Sequence, residues 1–192
     1  MEQLVLEGGR RLGGALTIHG AKNSALPLLA ATLLTDEECE LSNCPRLSDV
    51  EVATRILRHL GCAVTVSEDV VSVRAAGLCR GDIPDALMRE MRSSIVFLGA
   101  ILARCGEATL SFPGGCELGP RPIDLHLSSL ARLGAEIEED HGSLRCRTPK
   151  RLHGAAITLP FPSVGATENV LIAAATAEGT TTLRNAAREP EI

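Results

Sequence analysis

"LLAATLLTDEECEL" (residues 28–41), "FLGAILARCGEATL" (97–110) and "VLIAAATAEGTTTL" (170–183) align without gaps. Each reads as a helix of small and aliphatic residues, a tight turn at Asp36 and Glu37, Gly106 or Gly179, and a short strand. The copies lie 69 and 73 residues apart, and repetition on that scale decides the fold before any local propensity does. A second pair follows the first two copies: "SDVEVATRILRHLGCAVTV" (48–66) and "RPIDLHLSSLARLGAEIEE" (121–139). Val52, Ile56, Leu57 and Leu60, and in the other copy Leu125, Leu130 and Leu133, recur at helical spacing, with Gly61 and Gly134 placed to close each helix.

Alternating strands come next, "AVTVSEDVVSVRA" (63–75) and "AEIEEDHGSLRCR" (135–147), each folded about a polar turn as a hairpin. The unit is therefore helix, strand, helix, hairpin. Repeated, it predicts an α/β domain whose units pack their helices together inside a shell of sheets. The third copy has its first helix and strand, then "NAAREPEI" (185–192), so that Glu191 and Ile192 fall where a second helix would open. The expectation is a repeat-built domain over 21–192, incomplete at its C-terminal end and drawn from a longer protein. Residues 1–20 match neither repeat. "QLVLEGGRRLGGALTIHG" (3–20) reads as two strands joined by a Gly-Gly-Arg-Arg turn, a strand pair expected to belong to a second domain.

Composition narrows the function. With 45 % hydrophobic and 22 % charged residues the chain is globular rather than disordered. A net charge of −5 without a run of Lys or Arg argues against nucleic acid, and three Phe with no Trp or Tyr leave no stacking platform for single strands. The N-terminus lacks the basic and apolar regions of a signal peptide, and no apolar run is long enough to span a bilayer. The seven cysteines form no CxxC pair and no zinc-spaced set, so the expectation is a cytoplasmic protein with reduced thiols, no metal and no membrane contact. For Cys39, Cys44, Cys62, Cys79, Cys105 and Cys146 the expected role is a buried or half-buried small side chain.

The seventh is different. "SFPGGCELGPRPIDLH" (111–126) sets Cys116 after a glycine pair and five residues before Arg121, among Pro113, Pro120 and Pro122. A cation and a helix start at Pro122 would favour thiolate if they face it, and the glycine amides could hold phosphate oxygens. A reactive thiol and a quiet loop cysteine both remain open on these residues alone. "GAKNSALPLL" (20–29) places Lys22 and Asn23 just before a helix with Pro27 in its first turn, an arrangement suited to an anion. "EMRSSIVFLGA" (90–100) puts Arg92 at the matching place in the second unit. "PFPSVGATEN" (160–169) is another Pro/Gly loop before a helix, where Ser163, Val164 and Gly165 offer backbone groups and Thr167 reads as the N-cap. His126 reads as a packed or hydrogen-bonding histidine.

"GAKNSALPLLAATLL" (20–34), "MRSSIVFLGAILARCGEATLSFPGGCELGPRPIDLHL" (91–127), "SVGATEN" (163–169) and "AEGTTTLRNAAREPEI" (177–192) together closely resemble the N-terminal portion of the UDP-N-acetylglucosamine 1-carboxyvinyltransferase family, the enolpyruvyl transferases of peptidoglycan synthesis. The resemblance runs from the first strand to the last residue, and the cysteine loop is its most specific part, since the sister enzymes of the shikimate pathway share the fold without it. It implies an inside-out α/β barrel and transfer of the enolpyruvyl group of phosphoenolpyruvate to the 3-hydroxyl of UDP-N-acetylglucosamine, without cofactor.

Under it, Cys116 matches the acid that protonates C3 of phosphoenolpyruvate and the position alkylated by fosfomycin. Lys22 and Asn23 match the pair beside phosphoenolpyruvate, and Arg92 a residue near the nucleotide sugar. Arg121, Pro122, Ile123, Asp124 and Leu125 match the segment at the uridine diphosphate end, and Ser163, Val164 and Gly165 a further nucleotide contact. Phe161 departs from the lysine that some members carry there. The general base and the arginines that close over phosphoenolpyruvate match nothing in these residues, so the alternative is an inactive fragment or a non-catalytic module that binds a nucleotide sugar. A thiol redox protein built on Cys116 is weaker, because no resolving cysteine is near it in sequence.

Overall fold

Helix α1 (Lys22–Ala31) tightens into a 3-10 turn at Thr32–Leu34 and feeds β1 (Glu38–Leu41), as the first repeat predicts. The computed structural model describes residues 3–11, 13–111 and 123–192. The first unit continues with α2 (Ser48–Leu60), β2 (Ala63–Ser67) and β3 (Val70–Arg74), which form a three-stranded antiparallel sheet in the order β1-β3-β2. In the second unit β4 (Asp82–Ile83) and α3 (Asp85–Glu90) precede a 3-10 helix, Arg92–Val96, that runs without a break into α4 (Phe97–Cys105). After β5 (Glu107–Ser111) come α5 (Asp124–Arg132), β6 (Glu136–Asp140) and β7 (Ser143–Arg147), in a sheet of order β4-β5-β7-β6. The third unit holds β8 (Ala156–Thr158), α6 (Val164–Ala174) and β9 (Thr182–Arg184).

The repeat carries the architecture, but it does not announce β4 and β8. Each is too short to show alternation, and each exists because it pairs in parallel with the strand that follows the apolar helix of its unit, β4 with β5 and β8 with β9. That pairing turns each helix back across its sheet.

Hydrophobic pattern sets which helices are central. On α2 the apolar residues keep to one face, so that helix has a wet side. On α4, by contrast, Phe97, Leu98, Gly99, Ala100, Ile101 and Leu102 are all buried, and a helix apolar all round belongs in the middle. Helices α1 and α6 pack on α4, and the sheets lie outside them. Gly99 allows the α4 and α6 backbones to approach closely. A Cβ there would run into the Asn169 side chain and come within 2.6 Å of the Asn169 carbonyl oxygen.

The described residues 3–11 and 13–21 form no strand within this chain, and a pairing of this segment with a second domain stays a proposal. Leu4, Val5, Leu6, Leu16 and Ile18 are all exposed, so no sheet among the described residues covers the segment and burial does not offset the entropy of ordering it. Two further corrections are local. Lys22 and Asn23 open α1 rather than precede it, and Pro27 lies in the second turn, where its missing N–H frees the Asn23 carbonyl. Ser163, not Thr167, caps α6: its hydroxyl accepts from the Ala166 amide at 3.4 Å. Thr167 is buried and donates to the Ser163 carbonyl at 2.7 Å. Cys79 is exposed, against the expectation of burial, because it lies on the loop after β3.

Gly61 closes α2 at φ 104°, where a Cβ would meet the Gly77 carbonyl oxygen and the Cys79 sulfur, the latter at 2.9 Å. Gly61→Ala should therefore cost about 1–3 kcal/mol, read from the urea midpoint. Gly142→Ala is the control, since Gly142 has φ 83° with open space around it. An equal loss in both variants would mean that backbone conformation alone, and not the contact with Gly77, sets the cost.

Candidate functional site

Three helices of the repeat point their amino ends at one cavity. By the 69- and 73-residue offsets, Asn23, Arg92 and Gly165 are equivalent positions, and all three line it. So do the equivalent Leu26, Ile95 and Glu168. The cavity has a volume of about 430 Å³, and His126 from α5 and Phe161 complete its wall. The first amides of a helix have no acceptor within it, and the helix dipole leaves that end positive. A cavity fed by three such ends and the Arg92 guanidinium suits an anion with several oxygens.

The sequence-derived candidates divide accordingly. Asn23, Arg92, Ser163, Val164 and Gly165 come together at this cavity. Lys22 stands at the same helix end, but its Nζ is turned to Asp49 Oδ2 on α2, 2.8 Å away. Ile123 and Leu125 are buried in the core instead of lining the cavity, and Asp124 is exposed at the first turn of α5. Cys116, Arg121 and Pro122 lie outside the described residues.

Two titratable groups in the wall were not legible as site residues. Burial pushes His126 down to about 4, against a smaller opposing effect of Asp124, so the imidazole is neutral at pH 7. Burial, with Glu191 and Glu189 adding like charge, pushes Glu168 up to about 7. Their ordinary values are 6.5 and 4.5, and the two shifts act on stability with opposite sign. Between about pH 4.5 and 6.5 the unfolded chain holds a proton on His126 that the folded chain lacks, which makes stability rise with pH. In the same window the folded chain holds a proton on Glu168 that the unfolded chain lacks, which makes stability fall with pH. The two slopes oppose each other. Glu168→Gln should therefore expose a rise in stability across that window, and His126→Gln a fall that continues to about pH 7. Urea titrations at a series of pH values check this, and parallel profiles for both variants would contradict it.

Cys44, Cys62 and Cys146 are part of the core, and the half-buried Cys105 packs against it. Burial raises Cys62 and Cys146 to about 11, and it also raises Cys44 and Cys105. These four are protonated at neutral pH and slow as nucleophiles. Among the described residues no group of three His, Cys, Asp or Glu side chains is placed to hold a metal ion, and no helix is long and apolar enough to cross a membrane.

Known proteins agree with this architecture. A family model described as EPSP synthase (3-phosphoshikimate 1-carboxyvinyltransferase) matches residues 6–192. UDP-N-acetylglucosamine 1-carboxyvinyltransferase 2 of Caldanaerobacter subterraneus subsp. tengcongensis is 52 % identical over the whole chain, which covers 46 % of that relative. UDP-N-acetylglucosamine 1-carboxyvinyltransferase of Saccharophagus degradans is 48 % identical, again over the whole chain and 46 % of the relative. The chain thus spans about half the length of the curated relatives it matches. Among solved structures, the enolpyruvyl transferase NikO of Streptomyces tendae superposes on 96 % of this chain with a TM-score of 0.81 at 25 % identity, over 43 % of its own length. EPSP synthase of Acinetobacter baumannii, at 19 % identity and a TM-score of 0.70 over 88 % of this chain and 40 % of its own, shares the fold. With a family model matched along nearly its whole length, this chain belongs to the EPSP synthase (3-phosphoshikimate 1-carboxyvinyltransferase) family.

Proposed function

We propose that these residues form the first half of an enzyme that transfers the enolpyruvyl group of phosphoenolpyruvate to the 3-hydroxyl of UDP-N-acetylglucosamine and releases phosphate, a cytoplasmic step of peptidoglycan synthesis. The observation that carries this reading is the convergence of three helix amino ends and Arg92 on one cavity. Both substrates are polyanions, and such a cavity is organised for their oxygens before they arrive. Relatives named for this reaction, near 50 % identity along the whole chain, support the choice of acceptor.

In this reading the sugar oxygen bonds to C2 of phosphoenolpyruvate while the Cys116 thiol gives its proton to C3. The C2–phosphate oxygen bond then breaks and C3 loses a proton, leaving an enolpyruvyl ether and inorganic phosphate. Asn23 and Lys22 serve the phosphoenolpyruvate side, with Lys22 exchanging its Asp49 partner for the phosphate. Arg92 and Ser163 to Gly165 serve the nucleotide sugar, as does the segment Arg121 to Leu125. The base that takes the hydroxyl proton belongs to the second half. Neither metal nor organic cofactor has a step in this sequence.

Phosphate release from the two substrates, in the completed enzyme, is the direct test. Fosfomycin should abolish it by alkylating Cys116, which peptide mapping would locate. The four thiols with raised pKa should stay unlabelled under limited alkylation, leaving the exposed Cys79 and the half-buried Cys39 as internal controls. Release of phosphate that survives full labelling of Cys116 would rule out this role for the thiol.

A further inference from the structure

Asn169 is completely buried on α6 and yet is fully engaged. Its Oδ1 accepts from the Gly99 amide at 2.7 Å. Its Nδ2 donates to the Ile95 carbonyl at 2.9 Å and stands 3.0 Å from His126 Nδ1. One side chain therefore joins α6, the 3-10 helix and α4, and α5, behind the cavity wall that Ile95 and His126 help to form.

The amide has no ambiguity of orientation. Its oxygen is fixed by a backbone N–H and its nitrogen by a backbone carbonyl, so the second Nδ2 hydrogen must be the one directed at His126. A ring nitrogen facing a donor must be the acceptor, which leaves the proton of the neutral imidazole on Nε2. That edge of the ring lies against Gly165: a Cβ on Gly165 would sit 3.1 Å from Cε1 and 3.3 Å from Nε2. Gly165 and His126 both line the cavity.

We infer that Asn169 is a positioning residue that holds His126 in its Nε2–H form, so that α5 contributes an uncharged donor at the Gly165 edge of the anion cavity. A protonated His126 would have to break the Asn169 contact, because two donors would then face each other. The charged groups near the ring are Asp124 on its own helix and, along the cavity wall, Glu168 and Arg92. None of them accepts from Nδ1 in place of Asn169. The chemical class of ligand that this donor recognises is a phosphate or sugar oxygen, as against a second donor. This part rests on the function proposed above, whereas the tautomer does not.

Long-range 1H–15N correlation on protein labelled at histidine reads both ring nitrogens directly. The wild type should show Nδ1 unprotonated and Nε2 protonated throughout pH 5.5–8. Protonated Nδ1, or an imidazolium at neutral pH, overturns the inference without recourse to any variant. Asn169→Asp keeps the acceptor for Gly99 and replaces the donor to His126 with a carboxylate, so it should move the proton to Nδ1 or charge the ring at pH 7. An unchanged tautomer in that variant, if it folds, also overturns the inference.

UDP-N-acetylglucosamine is the probe for the second part. Its addition should shift the Nε2–H resonance of the wild type. Binding seen by calorimetry with that resonance unmoved rejects the donor role and leaves the proposed function standing. No binding at all by the completed enzyme rejects the proposed function and, with it, the role of His126 toward a ligand, while the tautomer result stands by itself.

Discussion

Gly99→Ala should destabilise the protein by roughly 2–5 kcal/mol, a large part of the stability of a typical domain. The sign is the informative part. In an exposed helix interior the same exchange stabilises by about 1 kcal/mol, because alanine is the better helix former. Here the new methyl group would collide with both the side chain and the carbonyl oxygen of Asn169, and would come within 3.3 Å of Ala173. Helix α6 must move outward, and the Gly99 amide then loses its acceptor in a buried place. A urea midpoint equal to or above that of the wild type would show that the two helices can slide apart freely, and that their close approach is not a structural requirement. Because Asn169 also holds His126, the variant should disturb the tautomer at the cavity even though residue 99 does not line it.

Cys116→Ala in the completed enzyme should lower phosphate release by about 10²–10⁴, the usual contribution of one general acid. Cys116→Asp should recover part of that loss, since a carboxylic acid with a pKa near the working pH can also deliver the proton. A carboxylate attacks an epoxide far more slowly than a thiolate does, so fosfomycin should leave the aspartate variant active. Wild-type turnover in Cys116→Ala would place the acid elsewhere. Glu168 would then be the first residue to test, since it lines the cavity and is half protonated near neutrality.

What could be read from the sequence follows the range of the interactions. Helices α1, α4 and α6 and their strands are visible because three stretches repeat without gaps, and Gly61 and Gly134 mark the ends of α2 and α5 by their left-handed geometry. The hairpins are visible because their polar turns are local. Strands β4 and β8 are not, since two or three residues become a strand only when a partner arrives from another part of the chain. The cap of α6 lies four residues before the Thr167 that the sequence suggests, because Ser163 and Thr167 are both good caps by type and burial of Thr167 decides between them. Asn23, Arg92 and Gly165 are each readable beside a helix start, but that they line one cavity follows from the packing of α1, α4 and α6 together. His126 and Asn169 are ordinary polar residues within helices until that packing buries them 43 residues apart in sequence and 3.0 Å apart in space.

Helix ends of like polarity repel, and the repeat forces three of them together around one cavity. Packing of Phe97, Leu98, Ile101 and their neighbours must hold them against that repulsion when the cavity contains only water. The fold is therefore electrostatically frustrated around this cavity, and a multivalent anion that enters should relieve the frustration. Thermal stability should rise with sulfate or inorganic phosphate by more than the same ionic strength of chloride produces, in proportion to occupancy of the cavity. Arg92→Ala should diminish that difference while sparing the general response to salt. A domain assembled by repeating one helix–strand unit thus carries a built-in demand for negative charge, created by the symmetry of the fold before any particular substrate is chosen.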